Sequence, residues 1–391
     1  IMASALLFTG LVCGGGLSTL AAVESVNGSD SLVRTSLTEI KNVLTSISYT
    51  DYLAMYESSG RPDETVDIDI FGNINGDETN ITYQVVDGAE YGKDGKVLLI
   101  GDDGKISFNI NIKTAGFYNI LVEYYTGNIS VYDADGNLAT VGKNASIERM
   151  VMIDGKVPFK EARSISFSRA WADSYPELDG DYKVVKTDGN KTYYDSTSTK
   201  FFESVANGDR IFQRDNNGNE MKPEKTIVGI WYTKRLFDSS GYSNAPLMFH
   251  FENGEHVISL NTVREPFAVK SIKLVPIAET ISYEEYLAEH KNAKDYSGDD
   301  IIIQAEYPSL ASDRTLYQLN DRTSVISQPQ DSALIRLNSI GGDKWTYVGQ
   351  WMEYTFEAPE DGFYYVVPRS IQNVTSGKYV SRKIYINGEV P

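Results

Sequence analysis

The stretch KISFNINIKTAGFYNILVEYY, residues 105–125, alternates apolar and polar side chains on both sides of the segment AGFY. Alternation with a period of two is typical of strands that have one face in a core and the other toward solvent. The stretch therefore predicts two antiparallel β-strands joined by a turn at Gly116. The fold class expected for the chain is all-β.

The same unit recurs near the end of the sequence, where WMEYTFEAPEDGFYYVVPR at 351–369 repeats the GFY segment. Each unit follows a short stretch with apolar residues at helical spacing, SYTDYLAMY at 48–56 and SYEEYLAEH at 282–290. Each stretch opens on a serine, a residue type that caps helix N-termini. These matches predict two short helices, each leading into a set of strands.

A third landmark follows the strands in each copy, as IDGKVP at 153–158 and INGEVP at 386–391. Asp-Gly and Asn-Gly are typical of tight turns between strands, because both turn positions need a positive φ. Three landmarks in the same order predict an internal duplication whose two copies differ in loop length. Since INGEVP ends the sequence, we expect the second copy to be incomplete at its C-terminus.

The architecture that follows consists of jelly-roll or β-sandwich modules in tandem, joined by short helical linkers, with the second module truncated. The stretch from 170 to 225 is rich in Asp, Asn, Gly, Ser and aromatic residues and predicts long loops in the first module. The predicted segments are a signal peptide at 1–22, a spacer at 23–47, a short helix at 48–62, a first module at 63–278, a linker helix at 279–297 and an incomplete second module at 298–391.

The composition limits the partners of the chain. Its 391 residues are 41% hydrophobic, which is enough to build real cores, and 54 acidic against 36 basic residues give a net charge of −18. This charge repels phosphate backbones and anionic lipid, so we expect neither nucleic acid nor a membrane surface as a partner. Beyond the leader, no apolar run approaches the length of a direct membrane span.

The first 22 residues, IMASALLFTGLVCGGGLSTLAA, are apolar and uncharged and end in small residues. They predict the core and cleavage region of a secretory signal peptide, and hence an extracellular protein, either secreted or associated with the cell surface. Cleavage would remove Cys13, the single cysteine. The alternative is a lipoprotein signal in which Cys13 carries the lipid, although Val12 replaces the small residue usual at that position.

The sequence offers no catalytic set. The stretch FHFENGEHVISL at 249–260 predicts a hairpin around Asn253-Gly254, which would place His250 and His256 on opposite faces where they cannot share a metal. The single cysteine lies in the leader, and no pair of carboxylates is set apart by its context. We therefore expect a binding protein and not an enzyme.

Two polar loops, DADGN at 133–137 and DNNGNE at 215–220, place oxygen atoms at alternate positions, a pattern that suits calcium. Neither loop has the later bidentate glutamate that completes an EF-hand. Polar turns of this composition are common, so ordinary turns are the alternative interpretation.

Aromatic side chains in polar, loop-rich segments are the best candidates for ligand binding. A sugar ring packs its C–H face on an indole or phenol ring, while its hydroxyls bind nearby polar groups. The candidate carbohydrate-binding residues are Trp171, Tyr175, Trp231, Tyr232, Tyr242, Trp345, Tyr347 and Trp351. The alternative for each tryptophan is packing in or beside a core, which is favoured for Trp351 because it lies in an alternating strand.

The second copy resembles family 6 and family 35 carbohydrate-binding modules. The resemblance rests on IIIQAEYPS at 301–309, the 351–369 stretch and the strand ending in INGEVP. It implies a jelly-roll β-sandwich. In such modules the opening glutamate often binds a structural calcium ion, which would carry over to Glu306, and Asp69 takes the equivalent position in the first copy. The resemblance thus implies structural Ca2+ as the cofactor.

A narrower resemblance covers most of the chain. The stretches 145–171, 215–223 and 236–274 are similar to the N-terminal part of large exported solute-binding proteins of Gram-positive sugar ABC transporters. This implies glycan binding at the cell surface for sugar uptake, with an oligo- or polysaccharide as partner. It also implies contact with a transporter permease through a C-terminal domain missing from this sequence. Two alternatives stay open: accessory modules of a secreted glycoside hydrolase, or a structural adhesin or stalk without sugar affinity.

Overall fold

The computed structural model of the chain describes residues 47–174, 212–279, 281–372, 376–377 and 379–388, with the backbone of three short strands between 177 and 193. The predicted signal peptide and nearly all of the predicted spacer lie outside these residues. The described α-helices are α1 (Tyr49–Met55) and α2 (Tyr283–Glu289). Neither of them is long and apolar enough to cross a membrane.

The described strands form most of the regular structure. In chain order they are β1 (Val66–Ile68), β2 (Tyr83–Asp87), β3 (Lys96–Ile100), β4 (Lys105–Ile112), β5 (Gly116–Tyr125), β6 (Ser130–Tyr132), β7 (Leu138–Val141), β8 (Ile147–Ile153), β9 (Ile165–Phe167), β10 (Ala170–Ser174), β11 (Glu177–Leu178), β12 (Val184–Val185), β13 (Thr192–Tyr193), β14 (Glu224–Val228), β15 (Trp231–Arg235), β16 (Met248–Phe251), β17 (Gly254–Arg264), β18 (Phe267–Val275), β19 (Leu310–Ala311), β20 (Gln318–Leu319), β21 (Ser339–Ile340) and β22 (Met352–Glu353).

Two antiparallel sheets carry the first copy. Sheet A has the order β15–β5–β18–β3–β2, with β1 also beside β18 and β16 also beside β5. Sheet B has the order β4–β17–β8–β9. One continuous core contains buried side chains of both sheets, among them Tyr118 and Leu274 of sheet A and Phe108 and Leu260 of sheet B. The prediction of an all-β sandwich is confirmed.

The two hairpins predicted from the sequence are wrong, because the strands in question cross from one sheet to the other. β4 pairs with β17 in sheet B, whereas β5 pairs with β15, β16 and β18 in sheet A. At Gly116, the first residue of β5, φ is +153° and a Cβ would lie 2.5 Å from Pro62 Cδ. Gly254, with φ at +127°, is the first residue of β17 in sheet B and follows β16 of sheet A. Alternation marks a strand and its buried face, but it does not name the partner strand.

Both predicted helices are present, and both carry the predicted serine cap. Ser48 Oγ accepts a hydrogen bond from the Asp51 backbone N–H at 3.1 Å, and Ser282 Oγ accepts one from Glu285 at 3.2 Å. Each cap satisfies a backbone donor that the first helical turn leaves without an intrahelical partner.

The two copies of the predicted duplication form equivalent backbone hydrogen bonds. The Phe117 N–H donates to the carbonyl oxygen of Gly60 at 2.9 Å, and the Phe363 N–H donates to that of Lys294 at 2.8 Å. Gly60 and Lys294 stand the same number of residues after their helix-capping serines. In both copies, therefore, the GFY segment is held by the chain that leaves the short helix.

Side chains repeat these contacts. The Tyr118 hydroxyl donates to the carbonyl of Thr114 at 2.7 Å, and the Tyr364 hydroxyl donates to that of Glu360 at 2.6 Å. Each bond spans four residues and anchors the tyrosine to the turn that precedes it. The two copies thus share a local structure as well as a sequence pattern.

The turns at IDGKVP and INGEVP also match. Asp154 and Gly155 have φ values of 50° and 71°, while Asn387 and Gly388 have 52° and 87°. Two successive residues with positive φ are typical of a type I′ turn, which suits Asp-Gly and Asn-Gly. The predicted turn geometry is confirmed in both places.

The strands of the second copy are short, and one of them continues a sheet of the first. β19 pairs with β10 through Ala311 and Trp171 and with β22 on its other side, which gives the order β14–β10–β19–β22. Among the described residues, β19 to β22 have two residues each. The division into two modules with the predicted boundaries stays a prediction.

Candidate functional site

Trp171, one of the candidate binding residues, is only 7% exposed. It lies in β10, where its backbone pairs with Ile227 of β14 and Ala311 of β19. With its ring enclosed by the junction of the two copies, Trp171 offers no free face to a ligand. Tyr175 lies outside the described residues.

Trp231 and Tyr232 are neighbours in β15 and therefore point to opposite faces of sheet A. The Trp231 indole N–H donates to the Tyr91 carbonyl at 2.8 Å, and the indole packs on Tyr125 with centroids 5.4 Å apart. The Lys93 ammonium lies 5.9 Å from the centre of the same indole. The polar and aromatic atoms of Trp231 are thus already engaged within the protein.

Tyr232 joins the first copy to the second. Its ring stacks on that of Trp351, and burial, together with the nearby Glu353 and Tyr385, raises the pKa of the Tyr232 hydroxyl. The Trp351 backbone N–H donates to Ser312 Oγ at 2.8 Å. These contacts make Trp351 a packing residue, in line with the alternative stated for it above.

Two of the predicted aromatic residues, Tyr242 and Tyr347, come together at one surface. In the loop between β15 and β16, Tyr242 is 89% exposed, and Tyr347 of the second copy is 72% exposed. Their neighbours Gly241 and Val348 are in direct contact, since a Cβ at Gly241 would lie 2.4 Å from Val348 Cγ2. Tyr242 and Tyr347 therefore project from adjoining loops of the two copies.

Two basic residues to which no sequence pattern pointed complete this surface. The Arg382 guanidinium lies 4.3 Å from the centre of the Trp345 indole, which is the geometry of a cation–π contact. Lys383 Nζ donates to the carbonyl of Asn244, two residues beyond Tyr242, at 2.6 Å. Sequence patterning could not find them, because both contacts join segments far apart in the chain.

A buried amide lies beneath the exposed aromatic residues. Gln350 Oε1 accepts a hydrogen bond from the Tyr347 N–H at 2.9 Å, and this bond fixes which way the amide points. Gln350 Nε2 is buried and has no partner among the described residues. A buried donor without an acceptor is costly.

We define the junction surface as Tyr242, Asn244, Trp345, Tyr347, Gln350, Arg382 and Lys383. It combines exposed aromatic faces with hydrogen-bond donors of three kinds, amide, guanidinium and ammonium. Such a surface can pack the flat side of a polar ring and donate to the hydroxyls at its rim. Of the eight predicted aromatic residues, it contains Tyr242, Trp345 and Tyr347.

Asp69, a predicted metal ligand, is exposed and caps its own turn. Its Oδ1 accepts hydrogen bonds from the backbone N–H groups of Phe71 at 3.1 Å and Gly72 at 2.9 Å. The carboxylate thus has a local structural role. Within the parts of the chain that the structure describes, no group of three acidic, histidine or cysteine side chains is arranged to hold a metal ion.

Glu306, the other predicted ligand, is a buried carboxyl whose pKa is raised to about 7, mainly by burial and further by the nearby Glu220. Beside it, Gln318 Nε2 donates to the Glu306 carbonyl at 2.9 Å, and Gln318 Oε1 is buried without a partner among the described residues. Calcium prefers oxygen ligands of these kinds. The Glu306 carboxylate and Gln318 Oε1 are oxygen atoms of these kinds, and the calcium site that the resemblance implies stays a prediction.

The two polar loops singled out for calcium have the same closed geometry. Asp133 Oδ1 accepts from the backbone N–H groups of Asp135 and Asn137, and Asp215 Oδ1 accepts from those of Asn217 and Asn219. Hydrogen bonds lower the pKa of both carboxyl groups: mainly the bond from the Asn137 backbone for Asp133, and mainly the bond from the Asn219 side chain for Asp215. These bonds close each loop as a polar turn, which fits the alternative interpretation, while calcium binding there stays a prediction.

Comparison with known proteins finds distant structural similarity only. No family model and no curated protein matches the chain. A family 35 carbohydrate-binding module from Clostridium thermocellum aligns at 11% identity and a TM-score of 0.24, over 54% of this chain and 97% of that one. A Podospora anserina GH26–CBM35 β-(1,4)-mannanase aligns at 10% identity and a TM-score of 0.24, over 56% and 29%. The catalytic domain of a GH87 α-1,3-glucanase in complex with nigerose aligns at 10% identity and a TM-score of 0.27, over 57% and 30%.

Proposed function

We propose that the chain binds carbohydrate noncovalently and that the junction surface is its site. The observation that carries the proposal is the pair of exposed tyrosines, Tyr242 and Tyr347, on adjoining loops, with the basic residues Arg382 and Lys383 beside these loops. Adjoining exposed aromatic residues rimmed by polar groups are typical of a ligand-binding surface. A pyranose ring is a ligand of suitable shape and polarity.

The polar groups around the tyrosines favour a hydroxylated ligand over a purely apolar one. Arg382 and Lys383 bring positive charge to a chain whose net charge is −18. Both are donors only, and sugar hydroxyls and carboxylates are acceptors for such groups. An acidic or a neutral oligosaccharide would suit the surface, and the ionic-strength dependence of binding separates the two.

The test is a glycan array with the full chain, followed by titration of the best polysaccharide hit. Tyr242→Ala and Tyr347→Ala should each weaken binding by about 2- to 13-fold, since an aromatic stacking contact contributes about 0.5–1.5 kcal/mol. Tyr283→Ala is the matched control because Tyr283 is also an exposed tyrosine but belongs to α2. It should bind like the wild type.

Two results would remove the proposal. The first is the absence of binding to any glycan on the array, which would favour the structural adhesin or stalk. The second is binding that is equally strong in Tyr242→Ala, Tyr347→Ala and wild type, which would place the site elsewhere. Trp171→Ala is unsuitable as a probe of binding because this residue is buried and its loss would disturb the fold.

We further propose a structural calcium ion held in part by Glu306, with Gln318 Oε1 as a neighbouring ligand. For the wider role we propose what the sequence resemblance implies, which is glycan capture for sugar uptake by an exported solute-binding protein. Service as an accessory module of a glycoside hydrolase is the alternative, and both fit a noncovalent binding site without catalysis.

A further inference from the structure

Lys225 and Asp173 form a buried ion pair where the two copies meet. They are direct partners in the antiparallel pairing of β14 with β10, and Lys225 Nζ contacts Asp173 Oδ1. Each of the two side chains is only 1% exposed. Direct partners on neighbouring strands hold their Cβ atoms about 5 Å apart, so the amine and the carboxyl group stay together as long as the sheet is formed.

The burial of this pair distinguishes it from other ion pairs of the protein. Among the lysine–carboxylate pairs of the residues that the structure describes, it is the one in which both side chains are almost fully buried. In the pair of Lys93 with Glu123, by comparison, 35% and 21% of the side-chain surface is exposed. A lysine amine that has lost its proton is a nucleophile, so a chemical reaction within the pair is possible.

The second copy encloses the pair. Gln318 of β20 is fully buried and donates its Nε2 hydrogen to Asp173 Oδ2 at 2.5 Å. The centre of the Tyr317 ring lies 5.9 Å from the Lys225 ammonium. Trp171, on the same face of β10 as Asp173, is buried beside β19. The two charges are therefore shielded from water.

An amide would be a more favourable occupant of this site than two charges. The cost of removing both charges from water offsets much of their mutual attraction in a buried ion pair. Condensation of the two side chains replaces both charges by one neutral amide and releases a water molecule. Groups held in contact react as if at very high concentration, and the exclusion of bulk water disfavours the reverse hydrolysis.

We propose that Lys225 and Asp173 condense to an intramolecular isopeptide bond that covalently joins β14 to β10. The ammonium passes one proton to Asp173 Oδ1, and the resulting amine attacks Asp173 Cγ. Oδ2 takes the negative charge of the tetrahedral intermediate, where the Gln318 N–H stabilises it. The nitrogen then passes a second proton to Oδ1, the bond between Cγ and Oδ1 breaks, and Oδ1 leaves as water. Oδ2 becomes the carbonyl oxygen of the amide, and no oxidant or other co-reactant is consumed.

The bond would have the role that a disulfide has in other proteins. Cys13 is the single cysteine, so the sequence cannot form a disulfide within itself. The isopeptide bond would close a loop between two residues that are 52 positions apart, and a closed loop restricts the unfolded chain. Because β10 also pairs with β19, the bond would strengthen the sheet that the two copies share.

The experiment is intact-mass spectrometry of the full chain under denaturing conditions. The expected mass lies below the mass calculated from the sequence by one water molecule. Tryptic digestion should give one branched peptide that contains both Lys225 and Asp173, because trypsin does not cleave after an acylated lysine. Lys225→Arg keeps the positive charge but has no nucleophilic amine, so its mass should equal the calculated mass. Lys93→Arg is the matched control and should lack one water molecule like the wild type.

Two results would overturn the proposal. The first is a wild-type mass equal to the calculated mass, and this result does not depend on the folding of any variant. The second is a loss of water that persists in Lys225→Arg, which would place the dehydration elsewhere, for example in a succinimide at an Asp-Gly turn. A circular dichroism spectrum like that of the wild type shows that Lys225→Arg is folded.

Discussion

The ring of Trp351 lies parallel to that of Tyr232, with 11° between the planes and 5.8 Å between the centroids. The two residues are far apart in the sequence and belong to different copies of the repeat. Their stack lies close to the pairing of β19 with β10, since Trp351 binds Ser312, which follows β19 directly. The contact between the copies is therefore made of both backbone and aromatic interactions.

Trp351→Ala should loosen this contact. Removal of a half-buried indole lowers the free energy of unfolding by about 2–3 kcal/mol, through lost burial and the space left behind. Tyr347→Ala removes a neighbouring aromatic residue that is exposed, so it should change stability by less than about 0.5 kcal/mol. Urea unfolding followed by tryptophan fluorescence measures both. Equal effects of the two substitutions would show that Trp351 is not a packing residue.

A buried ion pair lies directly before β10 in the first copy. Arg169 Nη2 lies 3.0 Å from Glu265 Oε2, and both side chains are almost fully buried. Glu265 also accepts from the Lys143 N–H at 2.7 Å, while Arg169 donates to the carbonyl of Ala145 at 2.9 Å. Glu265→Gln should destabilise the protein by about 3–5 kcal/mol, because it leaves an uncompensated buried guanidinium.

The control for this pair is Glu279→Gln. Glu279 forms a long contact of 4.0 Å with Arg61, and both side chains are mostly exposed. An exposed pair of this kind contributes little to stability, so the substitution should change the unfolding free energy by less than about 0.5 kcal/mol. If Glu265→Gln were equally mild, the Arg169 pair would not hold this part of the sandwich together.

The sequence predicted the fold to the level of strands and turns, but not to the level of sheets. Alternation located β4 and β5, and Asp154-Gly155 marked a turn, because both signals depend on neighbouring residues. The pairing of β4 with β17 depends on residues that are remote in the chain and on the steric restriction at Gly116. Neither can be recognised in a local pattern.

The candidate site was predictable in part, for the same reason. Residue type and polar context pointed to Tyr242 and Tyr347, which are exposed, and equally to Trp171, which is buried under β19. What distinguishes them is a contact between the two copies of the repeat. Arg382 carries no signal of its own in the sequence, because its role arises from the Trp345 ring beneath it.

Calcium should stabilise the protein through Glu306. A cation bound only by the folded state raises stability in proportion to the logarithm of its concentration over its Kd, so 1 mM Ca2+ with a Kd of about 10 μM adds roughly 2.7 kcal/mol. The melting temperature of the wild type should rise with Ca2+ and that of Glu306→Gln should not. Asp69→Asn is the comparison at the equivalent position. If Glu306→Gln responds to Ca2+ like the wild type, the ion binds elsewhere.

Lys234 should make stability depend on alkaline pH. Its ammonium donates to the Ser166 carbonyl at 2.9 Å, and burial lowers its pKa from the ordinary 10.5 to about 8. Between these two values the unfolded chain keeps a proton that the folded protein has released, so unfolding becomes less favourable as the pH rises. The stabilisation is fully present above pH 10.5 and is lost as the pH falls through 8.

Lys234→Met removes this titration and should be more stable than the wild type at pH 7, because the relief of the buried charge outweighs the loss of the bond to Ser166. The pH dependence tests the titration itself. The advantage of the variant over the wild type should shrink by about 1–3 kcal/mol between pH 7 and 10.5. Ionisation of the buried tyrosines affects both proteins alike and cancels in the difference. Urea unfolding at one-unit pH intervals measures the difference in unfolding free energy between the variant and the wild type. A difference that stays constant over this range would mean that Lys234 titrates alike in the folded and unfolded states.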